Sequence, residues 1–418
     1  MTQVPTDPEL RLLQAGAVID AAGVEAQPGV LLVRGNEVIA AGAPAEVGNV
    51  SEATIVDCPV DVLLPALVNA HSHLDLSGID PRPFDGHFDT WLASIRAHRM
   101  SQGEGDLEEV IARGIQMSLA GGVAFVGDIL GRGSDIGVGL LQESSLEGTC
   151  FLECMGLGSA QEQSIETIQE RSAGMQPGEH GIRIGVSPHA PYSCGLALYE
   201  ACAALGIPLA THLAESLEEE QVLFDSSGPF RELAGQLGAW NDATIMPGCH
   251  PVEALQTIIQ ERPVLAVHLN YIEDEHIQLL ADAGVSVVYC PRASDYFGHP
   301  HAGRPDHRYM DMLNAGMCVA LGTDSLQCLD TPDRISTLDE MRHLHVRDGA
   351  DPMPLLSMAT VQGARALELD PGLVSFSPGP VAGVIAVDVS GSRYGGLAGV
   401  LATRGAPRWV VDPGQRAS

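Results

Sequence analysis

Residues 62–73 read VLLPALVNAHSH, an apolar run that ends in two histidines one residue apart. A short apolar run of this kind reads as a strand buried on both faces, the type found in parallel sheets. On an extended strand, residues i and i+2 point the same way, so His71 and His73 share a side at the strand's C-terminal end. The reading of the whole chain depends on whether other strands end likewise.

Seven further runs resemble the first: VAFVGD (123–128), FLEC (151–154), IRIGVS (182–187), PLATH (208–212), VLAVH (264–268), VSVVYC (285–290) and CVALGTD (318–324). Amphipathic stretches of helical period lie between most of them, such as DLEEVIARGIQMSLAGG (106–122) and DEHIQLLADAGV (274–285), and glycine closes several. Eight β/α units over about 310 residues predict a (β/α)8 barrel of the TIM type, lengthened by insertions, the largest at roughly 213–263. The alternative is an open doubly wound sheet.

The chain ends read differently. LLQAGAVID (12–20), GVLLVRGNEVIAAG (29–42) and ATIVDC (53–58) are β-rich runs separated by turn residues, and GVIAVDV (383–389) and WVVDPG (409–414) resemble them. Both ends are expected to form one small β-sandwich. The expected division is residues 1–61 and 371–418 for the sandwich and 62–370 for the barrel.

Composition narrows the function. The 418 residues carry 54 acidic and 22 basic side chains, a net charge of −32, which disfavours nucleic acid and anionic membranes as partners. A small-molecule substrate is expected, and a homodimer is compatible with the sequence. No run of about 18 apolar residues and no signal-peptide pattern occurs, so a cytoplasmic protein without a membrane span is expected. The nine cysteines form no CxxC pair and read as reduced thiols. Every basic residue is arginine. Without lysine there is no Schiff base, no lysine general base and no carboxylated lysine to bridge two metal ions.

The strand ends supply the chemistry. His71 and His73 close the first strand, His212 the fifth, His268 the sixth and Asp324 the eighth. In a (β/α)8 barrel all of these open onto one face. His71, His73, His212 and Asp324 give an N3O donor set for one divalent cation, Zn2+ first and Fe2+ second. Glu215, three residues after His212, is the candidate proton shuttle, and His268 is a second acid/base or electrostatic group. His189, in the proline-flanked segment SPHAPYS, suits a positioned hydrogen bond to substrate. His299, His301, His307, His343 and His345 are expected at the surface. The SLEEE run after Glu215 is expected to be a solvated helix start.

Together, NAHSHLDLS, SPHAPYS, THLAES, AVHLN and LGTDSL resemble the amidohydrolase superfamily, in its branch of cytosine deaminases, S-adenosylhomocysteine deaminases and chlorohydrolases. The resemblance implies the metal ligands already named, and Glu215, His268 and Asp324 as catalytic residues. Asp75, the segment CPRASDYFGH (290–299) and ALGTDSL look like the aminodeoxyfutalosine deaminases of a menaquinone route, although Ala293-Ser294 stand where those enzymes usually carry Ser-His. That likeness implies deamination of a 6-amino-purine nucleoside, with His189, Asp75, Arg292 and Ser325 as substrate contacts. Arg292 would take a substrate carboxylate. The alternatives are another adenosine derivative or S-adenosylhomocysteine, a triazine-type ring, and a catalytically inactive metal-binding barrel.

Overall fold

The protein is described by a computed structural model covering residues 9–414 except 49, 132, 176–180, 242–243 and 302. Eight parallel strands form its centre: β1 Leu67–Ser72, β2 Val123–Leu130, β3 Glu147–Cys154, β4 Ile182–Pro188, β5 Ala210–Leu213, β6 Leu265–His268, β7 Ser286–Tyr289 and β8 Cys318–Leu321. They pair in order as two four-stranded runs, β1 to β4 and β5 to β8. A bridge between Val186 and Leu209 joins the runs, and a bridge between Ser72 and Asp324 joins β1 to the end of β8. The parallel sheets therefore curl round on themselves, as a (β/α)8 architecture requires. Every residue of β1 and β2 is buried, which is why these strands read as unbroken apolar runs.

Helices cover the outside, and a contiguous apolar core runs from Leu67 and Val126 through Val186 and Val287 to Leu321. Two connections are long. Helices Phe88–Ser101 and Glu104–Ala120 lie between β1 and β2, and among the described residues four helices lie between β5 and β6. Gly322 marks a close approach: a Cβ there would sit 2.8 Å from the His71 Cβ and 2.9 Å from the Cys290 sulfur. Glycine lets β8 end directly against the first histidine.

The pairing at the chain ends does not by itself establish the expected sandwich. Their strands, among the described residues, form a single hydrogen-bonded sheet of eight strands. Thr54–Pro65 is the seam. It pairs in parallel with Leu10–Ile19 on one edge and antiparallel with Val384–Asp388 on the other, so the two ends join side by side. The run 62–71 is correspondingly divided. Val62–Pro65 belongs to this sheet, and β1 starts only at Leu67. Among the described residues no helix is long and apolar enough to cross a membrane, and all nine cysteines are free.

Candidate metal centre and active site

The predicted residues converge at the C-terminal ends of the strands. His71 and His73 leave β1, and their ring centroids are 4.9 Å apart. His212 at the end of β5 lies 5.1 Å from the His71 ring and stacks on His73 at 5.5 Å. The His73 Nε2 stands 3.4 Å from the His212 Nε2 and 3.7 Å from the Asp324 Oδ1. His268 stacks against His212 at 5.5 Å and places its Nε2 3.5 Å from the Glu215 Oε1. Three overlapping groups could hold a cation: His71, His73 and Asp324; His71, His212 and His268; Glu215, His268 and Asp324.

Backbone contacts fix these positions. The carbonyl of His71 accepts from the backbone N–H groups of Thr323 and Asp324. Asn69 and Thr323 exchange two hydrogen bonds. These links lock the end of β1 to the loop after β8. The His189 carbonyl accepts from the His212 Nδ1 at 2.8 Å, which leaves the His212 Nε2 as a bare lone pair toward the cluster. Ala214, His268, Leu269 and Asp324 all have positive φ. Left-handed non-glycine residues concentrate where a site must aim its side chains.

The donor set fits a divalent cation. Both ring nitrogens of His71 and the Nδ1 of His73 are buried without a hydrogen-bond partner. A buried unpaired nitrogen is costly, and a metal bond would satisfy it. Burial, reinforced by the neighbouring imidazoles, holds the pKa values of His71 and His73 well below the usual histidine range. They are therefore neutral, the form that binds metal. Burial raises Asp324 to about 6. Burial, with Asp324 next, holds Glu215 well above the ordinary carboxylate range. A carboxyl whose proton is held more tightly by burial is suited to act as an acid.

The expected substrate contacts divide. His189 is partly exposed beside the cluster, its Nδ1 paired with the Ser193 hydroxyl at 2.8 Å and its ring 4.9 Å from that of His212. Arg292 is held by protein groups. It is buried, its Nε donates to Glu340 at 2.6 Å, its Nη1 to Asp330 and Thr331, and its Nη2 to the Ser336 carbonyl. These bonds engage four of its five N–H donors within the protein. Asp75 is fully buried and directs both oxygens at Arg99, which also donates to Glu153. Ser325 is buried, its N–H held by the Asp324 Oδ1 and its hydroxyl against Cys328. Asp75 and Ser325 thus face protein groups.

Other features escaped the sequence. A partly buried Arg99 joins the buried carboxylates of Asp75 and Glu153. Glu153 ends β3, the same strand-end signal that marked the histidines, whereas Arg99 lies on a helix of the β1–β2 connection. Asp128, at an equivalent place in β2, accepts from the Ser72 hydroxyl and the Leu74 N–H and is raised by burial to about 7. The SLEEE run is not solvated throughout. Glu219 is fully buried and accepts from the Glu215 N–H at 2.8 Å. His299 and His307 are buried rather than at the surface. Phe88, Trp91, Phe230, Phe297 and Tyr192 make an aromatic cluster that reaches the His189 ring through Tyr192 at 5.5 Å.

The model of the Amidohydrolase family matches residues 62–411, which hold every residue of this centre. The chain belongs to the amidohydrolase family. This amidohydrolase is 27% identical over 384 residues to the aminodeoxyfutalosine deaminase of Deinococcus radiodurans, covering 85% of each chain. Its fold is similar to that of Helicobacter pylori aminofutalosine deaminase in complex with methylthio-coformycin, with a TM-score of 0.78 at 20% identity over 96% of this chain and 99% of that one. It is also similar to a zinc-bound adenosine deaminase from Xanthomonas campestris, with a TM-score of 0.70 at 21% identity over 98% and 93%.

Proposed function

We propose that this amidohydrolase is a metal-dependent hydrolytic deaminase of a 6-amino-purine nucleoside. The specific substrate proposed is 6-amino-6-deoxyfutalosine, converted with water to futalosine and ammonia. The observation that carries the reading is the Glu215–His268 pair, 3.5 Å apart and set against the His71, His73, His212 and Asp324 donors. Deamination of an aromatic amine needs a proton on the ring and a proton on the departing nitrogen. A cation site alone supplies neither.

His71, His73, His212 and Asp324 would hold one divalent ion, Zn2+ in first place and Fe2+ in second. When bound, the ion supplies Lewis acidity and lowers the pKa of a water from near 16 to about 7. The chain's own groups do the rest. Glu215, kept protonated by burial, donates to a ring nitrogen and makes C6 electrophilic. The His268 Nε2, 3.5 Å from the Glu215 Oε1, is placed to hold the charge that develops when water adds. Asp324 takes one proton from the water and passes it to the amino nitrogen, which leaves as ammonia, while the added hydroxyl returns its proton to Glu215 as C6 becomes a carbonyl. Glu219 and Asn270 hold the Glu215 backbone at its N–H and carbonyl, so the carboxyl stays in place while its proton moves. The aromatic cluster beside His189 offers a wall for a planar base.

The experiment is ammonia release by the zinc-loaded protein from 6-amino-6-deoxyfutalosine, S-adenosylhomocysteine, methylthioadenosine, adenosine and an amino-triazine. Fastest release from 6-amino-6-deoxyfutalosine supports the specific reading. Release from another adenine nucleoside alone keeps the class and removes that substrate. Release only from the triazine, or from none, removes the nucleoside reading.

A further inference from the structure

The connection after the helix Pro291–Phe297 carries His307 in the stretch RPDHRY (304–309), where acidic and basic neighbours make a surface histidine the natural reading. The side chain is instead buried, with its ring stacked on Tyr289 at a centroid distance of 3.6 Å. Its two nitrogens have different tasks. The Tyr309 N–H donates to Nδ1 at 3.1 Å, so the proton of the neutral ring is on Nε2. That Nε2 donates to the carbonyl of His268 at 2.7 Å. Burial pushes the His307 pKa down to about 3, so the ring remains a neutral donor at working pH.

The bond falls where the backbone is under tension. His268 has a φ of 77° and Leu269 a φ of 54°, two consecutive non-glycine residues in the left-handed region. Such a conformation persists only when its surroundings over-determine it. On one side, the Leu269 and Tyr271 N–H groups are held by the Leu213 and Ala214 carbonyls of the neighbouring strand end. The His268 carbonyl is turned away from that ladder, and His307 receives it. Were His268 to return to extended φ, its Cα–Cβ bond would swing and carry the imidazole away from Glu215.

We propose that His307 is a positioning residue for His268, holding the left-handed turn that keeps the His268 imidazole against the Glu215 carboxyl. Its effect on turnover rests on the deaminase reading, but its effect on His268 geometry does not. The test compares wild type with H307F, which keeps the stack and removes the donor, and with H307Q, whose amide nitrogen can reach the same carbonyl.

On whichever nucleoside the wild type deaminates, H307F should lose about tenfold or more in kcat, the scale of a displaced acid/base group, with KM and metal content little changed. H307Q should recover most of that loss. Crystal structures of H307F and H307Q, which need no substrate, should show His268 leaving positive φ and separating from Glu215 only in H307F. Should H307F not fold, H307N, polar but too short to reach the carbonyl, takes its place. The proposal is overturned if H307F keeps both the His268 geometry and kcat, or if folded H307Q is as impaired as H307F. Failure of the wild type to deaminate any nucleoside would remove the deaminase reading and leave the structural comparison to decide the role of His307.

Discussion

Substitution of Glu215 by glutamine separates the proposed proton shuttle from everything around it. Glu215 is 6% exposed, and both of its backbone polar groups are held by other residues, its N–H by Glu219 and its carbonyl by Asn270. Glutamine has the same shape, can still face the His268 Nε2, and removes only the transferable proton. Loss of a positioned acid/base group costs about 10²–10⁴ in rate, equivalent to about 2.7–5.4 kcal/mol of barrier. The proposed ligands are untouched, so one metal per chain should remain. Stability should move the other way. Burial raises the Glu215 pKa in the folded state, so the stability this residue allows is complete below about pH 4.5 and is lost as pH rises toward the folded value. Glutamine carries no such loss. The melting temperature of chelated E215Q should therefore exceed that of chelated wild type by a margin that grows above about pH 4.5. Steady-state ammonia release, metal analysis and melting curves at several pH values read these outcomes. Turnover within about tenfold of wild type, with metal content intact, would refute the shuttle role.

Further expectations follow from neighbouring groups. Arg292→Met strips the partner from fully buried Glu340 and should cost about 3–5 kcal/mol of stability by denaturant titration, with KM unchanged; a raised KM at unchanged stability would restore a substrate role. Gly322→Ala pushes a methyl group against His71 and should weaken zinc binding about ten- to hundredfold in a competition titration; unchanged affinity would mean that the end of β8 yields. Burial raises Glu219 to about 8, so wild-type stability should decline as pH rises from about 4.5 through 8. E219Q, which keeps the oxygen that accepts from the Glu215 N–H, should decline less, and parallel pH–stability curves would contradict this.

The ring of strands was legible because parallel strands buried on both faces read as short apolar runs, and the site because histidines and an aspartate close several of those runs. His71, His73, His212, His268 and Asp324 stood out for this reason. What stayed hidden depends on partners distant in sequence. Arg292 read as a free cation because Glu340, which holds it, is 48 residues away on another element. Asp75 read as a substrate contact because Arg99 sits on a helix with no mark of its destination. The run 62–71 read as one strand because hydropathy does not change at Pro65–Ala66, where the hydrogen-bond partners do. The end strands were recognisable singly, but their joining into one sheet was set by pairings between residues more than 300 apart. His307 read as a surface residue because it lies outside the strand runs, whereas its stack on Tyr289 and its bond to His268 accompany its burial.

The most direct test is a zinc titration of chelated protein, following ammonia release from a 6-amino-purine nucleoside alongside metal content. The account predicts no release without metal, full release at one equivalent per chain, and loss of both binding and release in H73A and H212A. Release that survives chelation, or that needs a second equivalent, would contradict a single-metal centre built on His71, His73, His212 and Asp324.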